Sequence, residues 1–461
     1  QGVKDVLVVI YYIFRADYLS HVMERLKARP ESWQALEVTL LAVTLVSKEI
    51  RDWMDAHARS KDAEQAEDAS RTHALVSALV NELLVNARLS SVPLVLAAGC
   101  KLVGSFATLV GGGRYGRRRF GSIGNAAAVA AAAAAAGAPG GVGGGGGGPA
   151  AGVGGRGGMG LGGNSDPSLL PRALSYLSAG LQQSTSRDRA AISVRTVAAS
   201  CERAIVTNPA ALEALLQTLD VATRAGADVE ERLTLMEASV RVLPAVDPSR
   251  ASALLMGLLS PLMHTLAQGL QSTAPDEQAI SETLQLLAQA VRFLDVRDTP
   301  PAPPPGSQAA AAATGTRSPP VGPGQPGSGA ATATGLAAGA GGGVGDGGHA
   351  PQHISTEFVR ALWPMLEAVP RRMGASPEVI RQLFLLVGKL LTSLRMELAQ
   401  QVHIPTLLKM IMDSYDERQY PCCLDVMTTA VEVYGAADEA VEPFRALLGR
   451  ASTRTFTAVQ V

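Results

Sequence analysis

Asn208–Leu219 reads NPAALEALLQTL, and Asp247–Leu262 reads DPSRASALLMGLLSPL. Each stretch opens with a side chain that can accept a hydrogen bond from a free amide of a first helical turn. Proline follows, at the position where a missing N–H costs nothing. Asp166-Pro167 and Ser376-Pro377 repeat the signature. Behind these starts the apolar residues recur with helical periodicity. Leu212, Leu215, Leu216 and Leu219 follow Asn208-Pro209, and Ile280, Leu284, Leu287, Val291 and Leu294 follow Asp276. Each set forms one apolar stripe along a helix, to be buried against another helix.

Helices predicted near Pro167, Pro209 and Ser249 are each followed by a second helix, and their starts lie about 40 residues apart, the period of HEAT-type repeats. Further pairs are expected from near Ser70, 353 and 398. The fold class read from this rhythm is all-α, a HEAT-repeat α-solenoid made of a superhelical stack of antiparallel helix hairpins. Two low-complexity segments interrupt it. Residues 111–165 contain AAAVAAAAAAAGAPGGVGGGGGG and residues 299–352 contain PPAPPPGSQAAAAATGTRSPPVGPGQPG. Ordering a backbone residue costs about 1 to 2 kcal/mol, and Gly, Ala and Pro bring too little apolar side chain to offset it, so both segments are expected to be disordered. A solenoid tolerates long loops between hairpins because each repeat touches only its neighbours. The expected organisation is HEAT repeats over 1–110, 166–298 and 353–461, with insertions at 111–165 and 299–352.

Composition agrees with helices: of 461 residues 47% are hydrophobic but only 4% aromatic. A formal net charge of −1 gives no global field for nucleic acid or an anionic membrane. The most apolar stretch, Ala251–Leu270, is broken by Ser260-Pro261, His264 and Gln268, so no membrane insertion is expected. Cys100, Cys201, Cys422 and Cys423 show no CxxC spacing, and the seven histidines show no HExxH. No cofactor, metal or catalytic residue is expected, and the chain is read as a non-enzyme. With no initiator Met, it is expected to be a piece of something longer.

The order of several phrases resembles the transportin-SR and importin-thirteen branch of the importin-β superfamily. These are KDVLVVIYYIF with SWQALEVTLLAVTLVSKEI (Lys4 to Ile50), CKLVGSFATLV (Cys100 to Val110), SLLPRALSYLSAGL (Ser168 to Leu181) and RTVAASCERAI (Arg195 to Ile205). VRVLPAVDPSRASALLMGLLSPL (Val240 to Leu262), LLAQAVRFLDV (Leu286 to Val296), FVRALWPMLEAV (Phe358 to Val369) and VEVYG (Val431 to Gly435) continue it. The resemblance implies the central part of a nuclear import receptor that shuttles between cytoplasm and nucleus. The implied partners are protein cargo, Ran in its GTP form and nuclear pore proteins. Family members of the transportin-SR type grip phosphorylated Arg/Ser domains with an arginine-rich helix. The matching helix here, PEVIRQLFLLVGKLLTSLRME, keeps only Arg381 at such a position, with Phe384, Val387 and Leu391 where further arginines would align. Arg381 and Arg395 fall on one helical face with Lys389 beside them, and these three residues are the candidate protein-binding stripe. It is too sparse for a phosphate clamp of several forked guanidinium contacts, so Arg/Ser-rich splicing factors are not the expected cargo.

Other signals receive plainer readings. GGGRYGRRRFG, Gly111 to Gly121, is a solvated loop, with an RNA-associated protein as the rival it would support. Cys422 and Cys423 are read as buried packing, and Asp52 to Arg71 as an exposed connection that could also meet a basic partner. Trp33, Trp53 and Trp363 are expected to anchor hairpin packing. A HEAT scaffold with no role in transport shares every periodicity above.

Overall fold

The computed structural model describes residues 2–28, 32–58, 60–111, 168–292, 356–402, 404–435 and 438–459. Among them the regular structure is nineteen α-helices and one short 3-10 turn, Leu243–Ala245. The helices are α1 Gly2–Phe14, α2 Ala16–Lys27, α3 Trp33–Leu45, α4 Ser47–His57, α5 Ala63–Val85, α6 Ala87–Ser91, α7 Pro93–Ser105 and α8 Ala107–Val110. They continue with α9 Leu169–Leu181, α10 Arg187–Thr207, α11 Pro209–Arg224, α12 Val229–Arg241, α13 Pro248–Gln271 and α14 Glu277–Arg292. The last five are α15 Thr356–Met373, α16 Pro377–Gln401, α17 Ile404–Arg418, α18 Pro421–Tyr434 and α19 Asp438–Val459.

These helices form two layers. In one, α3 packs on α7, α7 on α10, α10 on α12, α12 on α14, α14 on α16 and α16 on α18. In the other, α2 packs on α5, α9 on α11, α13 on α15 and α17 on α19. Each hairpin contributes one helix per layer, which is the HEAT solenoid expected from the sequence. The pairs headed by α9, α11 and α13 start at 169, 209 and 248, holding the repeat of about 40.

Local chemistry explains several of the starts. Asn208 accepts from the Ala211 amide at 3.2 Å, Asp247 from the Ser249 amide at 3.1 Å, and Asp276 from the Ala279 amide at 3.0 Å. Behind these caps Leu212, Leu215, Leu219, Ile280, Leu284, Leu287 and Val291 are buried, while Leu216 is half-buried. Burial stabilises by about 1.5 to 3 kcal/mol for each large aliphatic side chain. Asp166-Pro167 and Leu294 lie outside the described residues.

Five expectations need correction. The helix pair expected from near 398 is headed by α17 at Ile404: α16 breaks at Arg395, and the short helical stretch after the break runs to Gln401. The pair expected near Ser70 starts at Ala63, and Asp52 to Arg71 is mostly helix, the end of α4 and the first turns of α5. Most of its described charged residues are exposed, while Asp68 is half-buried and Met54 and Ala69 face inward. Ser376 does not cap α16: its hydroxyl donates to Glu277 at 2.6 Å, tying α16 to the start of α14. Trp33 does not anchor a hairpin, since it is 38% exposed at the first residue of α3.

α13 is long and apolar enough to cross a membrane, as is the sharply bent α1–α2 pair counted as one. In α13, however, Ala251, Leu255, Leu259, Met263, Leu266 and Leu270 form a buried stripe, and its other side carries exposed Ser260, His264, Thr265 and Gln268. That is the pattern of a core helix in a layered stack.

Both long undescribed segments fall between neighbouring hairpins. The first lies between α8 and α9, yet α7 packs on α10: Cys201 Sγ donates to the Ala107 carbonyl at 2.9 Å, and Gly104 sits against Ser193. The second lies between α14 and α15, yet α14 packs on α16 and α13 on α15.

Candidate functional site

The residues expected to bind a partner are spread along α16. Arg381 is exposed, but its guanidinium forks onto Glu378 of its own helix, Nε to Oε2 at 3.0 Å and the second contact at 2.7 Å. Glu378 also accepts from Gln382 at 2.7 Å, and the two donors hold its carboxyl below the usual range. Lys389 is half-buried. Arg395 is exposed at a break in the helix, with φ 41° and ψ −122°, and its carbonyl accepts from the Tyr434 hydroxyl of α18 at 2.6 Å. From Arg381 to Arg395 is 14 residues, roughly 21 Å along a straight helix, so one phosphate cannot touch both. Phe384, Val387 and Leu391 are fully buried, so the face where the family resemblance aligns arginines is core in this chain.

Cys422 and Cys423 open α18 as free thiols, Cys423 buried and Cys422 half-buried. A hydrogen bond from Cys423 lowers the Cys422 pKa, and the same bond together with burial raises that of Cys423. Cys100 and Cys201 are buried, and burial pushes both thiols up to about 12. Of the tryptophans, Trp363 is buried and donates to Glu367 at 2.7 Å. Trp53 stacks on His57 at 3.6 Å and receives the Arg15 guanidinium on its ring at 3.7 Å. Among the described residues no group of His, Cys, Asp or Glu is placed to hold a metal ion. The Arg-rich stretch 112–120 lies outside the described residues.

Sequence reading missed a polar seam between repeats. Arg187, at the first residue of α10 and almost buried, donates to the carbonyls of Leu181 at 3.0 Å, Gly226 at 3.0 Å and Ala225 at 2.6 Å, and it pairs with Glu231 at 3.6 Å. It thereby satisfies open carbonyls at the end of α11 and joins two hairpins. Asp228 and Glu231 form a reciprocal capping box at the start of α12. Arg232 of α12 pairs with Glu282 of α14, and Glu237 of α12 takes Arg195 of α10 at 3.6 Å and Gln289 of α14 at 3.4 Å. The DVEE signature of the capping box was visible in the sequence; the Arg187 contacts, made across the fold, had no local signal.

Two open grooves remain. One of about 410 Å³ runs along the starts of α12, α14 and α16 and is lined by Val229, Glu277, Ser281, Glu282, Ser376 and Glu378 among others. Its three carboxylates are engaged: Glu277 by Ser376, Glu282 by Arg232, Glu378 by Arg381. The other, of about 500 Å³, lies between the end of α1 and the start of α5, with Tyr12, Ile13, Phe14 and Arg15 on one side and Asp62, Glu64, Glu67, Asp68 and Arg71 on the other. Glu64 and Glu67 make no ion pair among the described residues. Both grooves can seat protein side chains; neither gathers a nucleophile, base and oxyanion donor.

No family model and no curated protein sequence matches the chain. Among solved structures it is similar to one described as "Importin13 cytosolic state", at 13% identity and a TM-score of 0.45, over 98% of this chain and 47% of that one. The chain thus spans about half the length of that importin. At the level of fold, the two-layered stack described above is an all-α HEAT-type solenoid.

Proposed function

We propose that the chain is the protein-binding middle of a nuclear import receptor, a non-catalytic member of the importin-β superfamily that shuttles between cytoplasm and nucleus. The observation that carries this reading is the stack of hairpins packing across both low-complexity segments, together with the colinear phrases from Lys4 to Gly435. Under it, 1–110, 166–298 and 353–461 form one stack of HEAT repeats, and 111–165 and 299–352 are loops grown between hairpins. Protein cargo docks on the helix faces and nuclear pore proteins on the outer surface. Arg381, Lys389 and Arg395 contribute separate contacts to a protein partner, with no phosphate clamp.

Ran in its GTP form and cargo oppose each other by preferring different curvatures of the stack. A coupling of about 1 to 3 kcal/mol changes affinity about 5 to 150-fold. The test is binding of the protein that carries this chain to Ran loaded with GTP or GDP, with cargo present. Preference for the GTP form and release of cargo is the expected result. Equal affinity for the two nucleotide states would remove the transport reading and leave a protein-binding scaffold.

A further inference from the structure

α1 meets α2 at Arg15, whose φ of 44° breaks the helix and turns the chain by 110°. The turn leaves Tyr12, Ile13 and Phe14 at 50%, 66% and 55% exposure on one wall of the 500 Å³ groove. The facing wall is the start of α5. Four carboxylates line the groove against two guanidinium groups. Asp62 is spent capping α5 through the Glu64 and Gln65 amides, and Arg71 leans away to Asp17 at 2.9 Å. Arg15 lies on Trp53 and reaches Asp68 only at 3.9 Å. Glu64 and Glu67 thus carry uncompensated charge, and Glu67 lies beyond the first turn, where the helix dipole alone would account for an acid.

The polar groups beneath this groove are also unfinished. Asp68 Oδ2, the Tyr11 and Tyr18 hydroxyls, Glu49 Oε2 and Trp53 Nε1 are buried without a hydrogen-bond partner in the protein. The Asp68 charge acts on the Tyr11 hydroxyl, adding to the burial that raises its pKa. Two carboxylates without an ion pair, Glu64 and Glu67, facing three exposed apolar side chains are complementary to a cation carried next to an aliphatic group. A lipid surface fits less well, because the carboxylates repel anionic headgroups.

We infer that the groove between α1 and α5 is a docking site for a protein segment presenting Arg or Lys beside aliphatic residues. The cation lies against Glu64 and Glu67, and the aliphatic neighbours cover Ile13 and Phe14. This deepens the protein-binding part of the function proposed above. Its test uses no GTPase and no transport, so the two readings fail separately.

The test is fluorescence anisotropy of the 461-residue chain with three labelled peptides of equal length: alternating Arg and Leu, alternating Lys and Ser, and alternating Glu and Leu. The Arg/Leu peptide is expected to bind best and to weaken about tenfold in the Glu64→Lys/Glu67→Lys variant, equivalent to about 1.4 kcal/mol. Ile13→Ser/Phe14→Ser is expected to weaken Arg/Leu binding severalfold and leave the weak Lys/Ser binding unchanged. All substituted side chains are exposed, and circular dichroism checks that the helices persist. Unchanged Arg/Leu binding in the charge variant, or equal binding of the Glu/Leu peptide, overturns the proposal. So does a dimer of the chain that Ile13→Ser/Phe14→Ser abolishes and the peptide does not displace.

Discussion

Residues 2–85 and 168–292 follow the same hairpin plan, but their surfaces end in different states. In 168–292 the helix ends are closed by Arg187, Asn208, the Asp228 box, Asp247 and Asp276, and charged groups pair between repeats. Among its large apolar residues only Ile192 is more than a third exposed. In 2–85, Val3, Val6, Val9, Tyr12, Ile13, Phe14, Trp33, Val38 and Val85 are exposed, and buried polar atoms without a hydrogen-bond partner gather at Tyr11, Tyr18, Glu49, Trp53, Asp68 and Thr72, whereas in 168–292 those of Tyr176, Gln183 and Ser239 are scattered. The difference teaches that a repeat is finished by its neighbours. α12 is packed by α10 on one side and α14 on the other, whereas α1 packs chiefly on α2 and α3.

The comparison is broken most severely at Arg187. Replacing it with Met keeps much of the volume but opens three carbonyls and removes the ion pair of Glu231, which keeps the Asp228 amide. A loss of about 3 to 5 kcal/mol is expected, read from urea denaturation of 168–292 within the chain. A next, smaller effect is expected for Gly104→Ala, because a Cβ there would stand 2.6 Å from Ser193 Oγ and 2.9 Å from its Cβ. Overpacking of this kind costs about 1 to 3 kcal/mol, and a neutral result would mean that α7 and α10 do not meet. Asn208→Ala removes one cap and is expected to cost about 1 kcal/mol by the same measurement.

The smallest effect is acid dependence at Asp247, whose bonds from the Ser249 hydroxyl and amide lower its pKa. A carboxylate depressed in the folded state stabilises fully above its unfolded pKa, and the contribution is lost as pH falls through the lowered value. Asp247→Asn keeps a capping oxygen that does not titrate. The urea midpoint of that variant is therefore expected to fall slightly less steeply between about pH 5 and pH 2 than that of the parent chain.

The sequence made legible whatever depends on neighbours within a turn or two. The stripes of α11 and α14 and the caps at Asn208, Asp247 and Asp276 stand where their spacing placed them. Ser376 has the same local signature, but its hydroxyl is drawn to Glu277, 99 positions away, by the packing of α16 on α14. Asp52 to Arg71 read as a connection because its apolar residues are sparse, although one buried residue in each helix end, Met54 in α4 and Ala69 in α5, faces the core. The pairing that occupies Arg381 was visible in Pro377-Glu378-Val379-Ile380-Arg381, an acid three residues before a base. The groove between α1 and α5 was not visible, since its walls are some 50 residues apart and meet only through the turn at Arg15.

Amide hydrogen exchange of the whole chain tests most directly the claim that neighbours on both sides finish a repeat. Exchange in 187–207, 229–241 and 277–292 is expected to be slow, set by cooperative opening of the stack, while 2–14 exchanges orders of magnitude faster through local opening. Protection of 2–14 equal to that of 187–207, in a chain shown to be monomeric, would contradict the account.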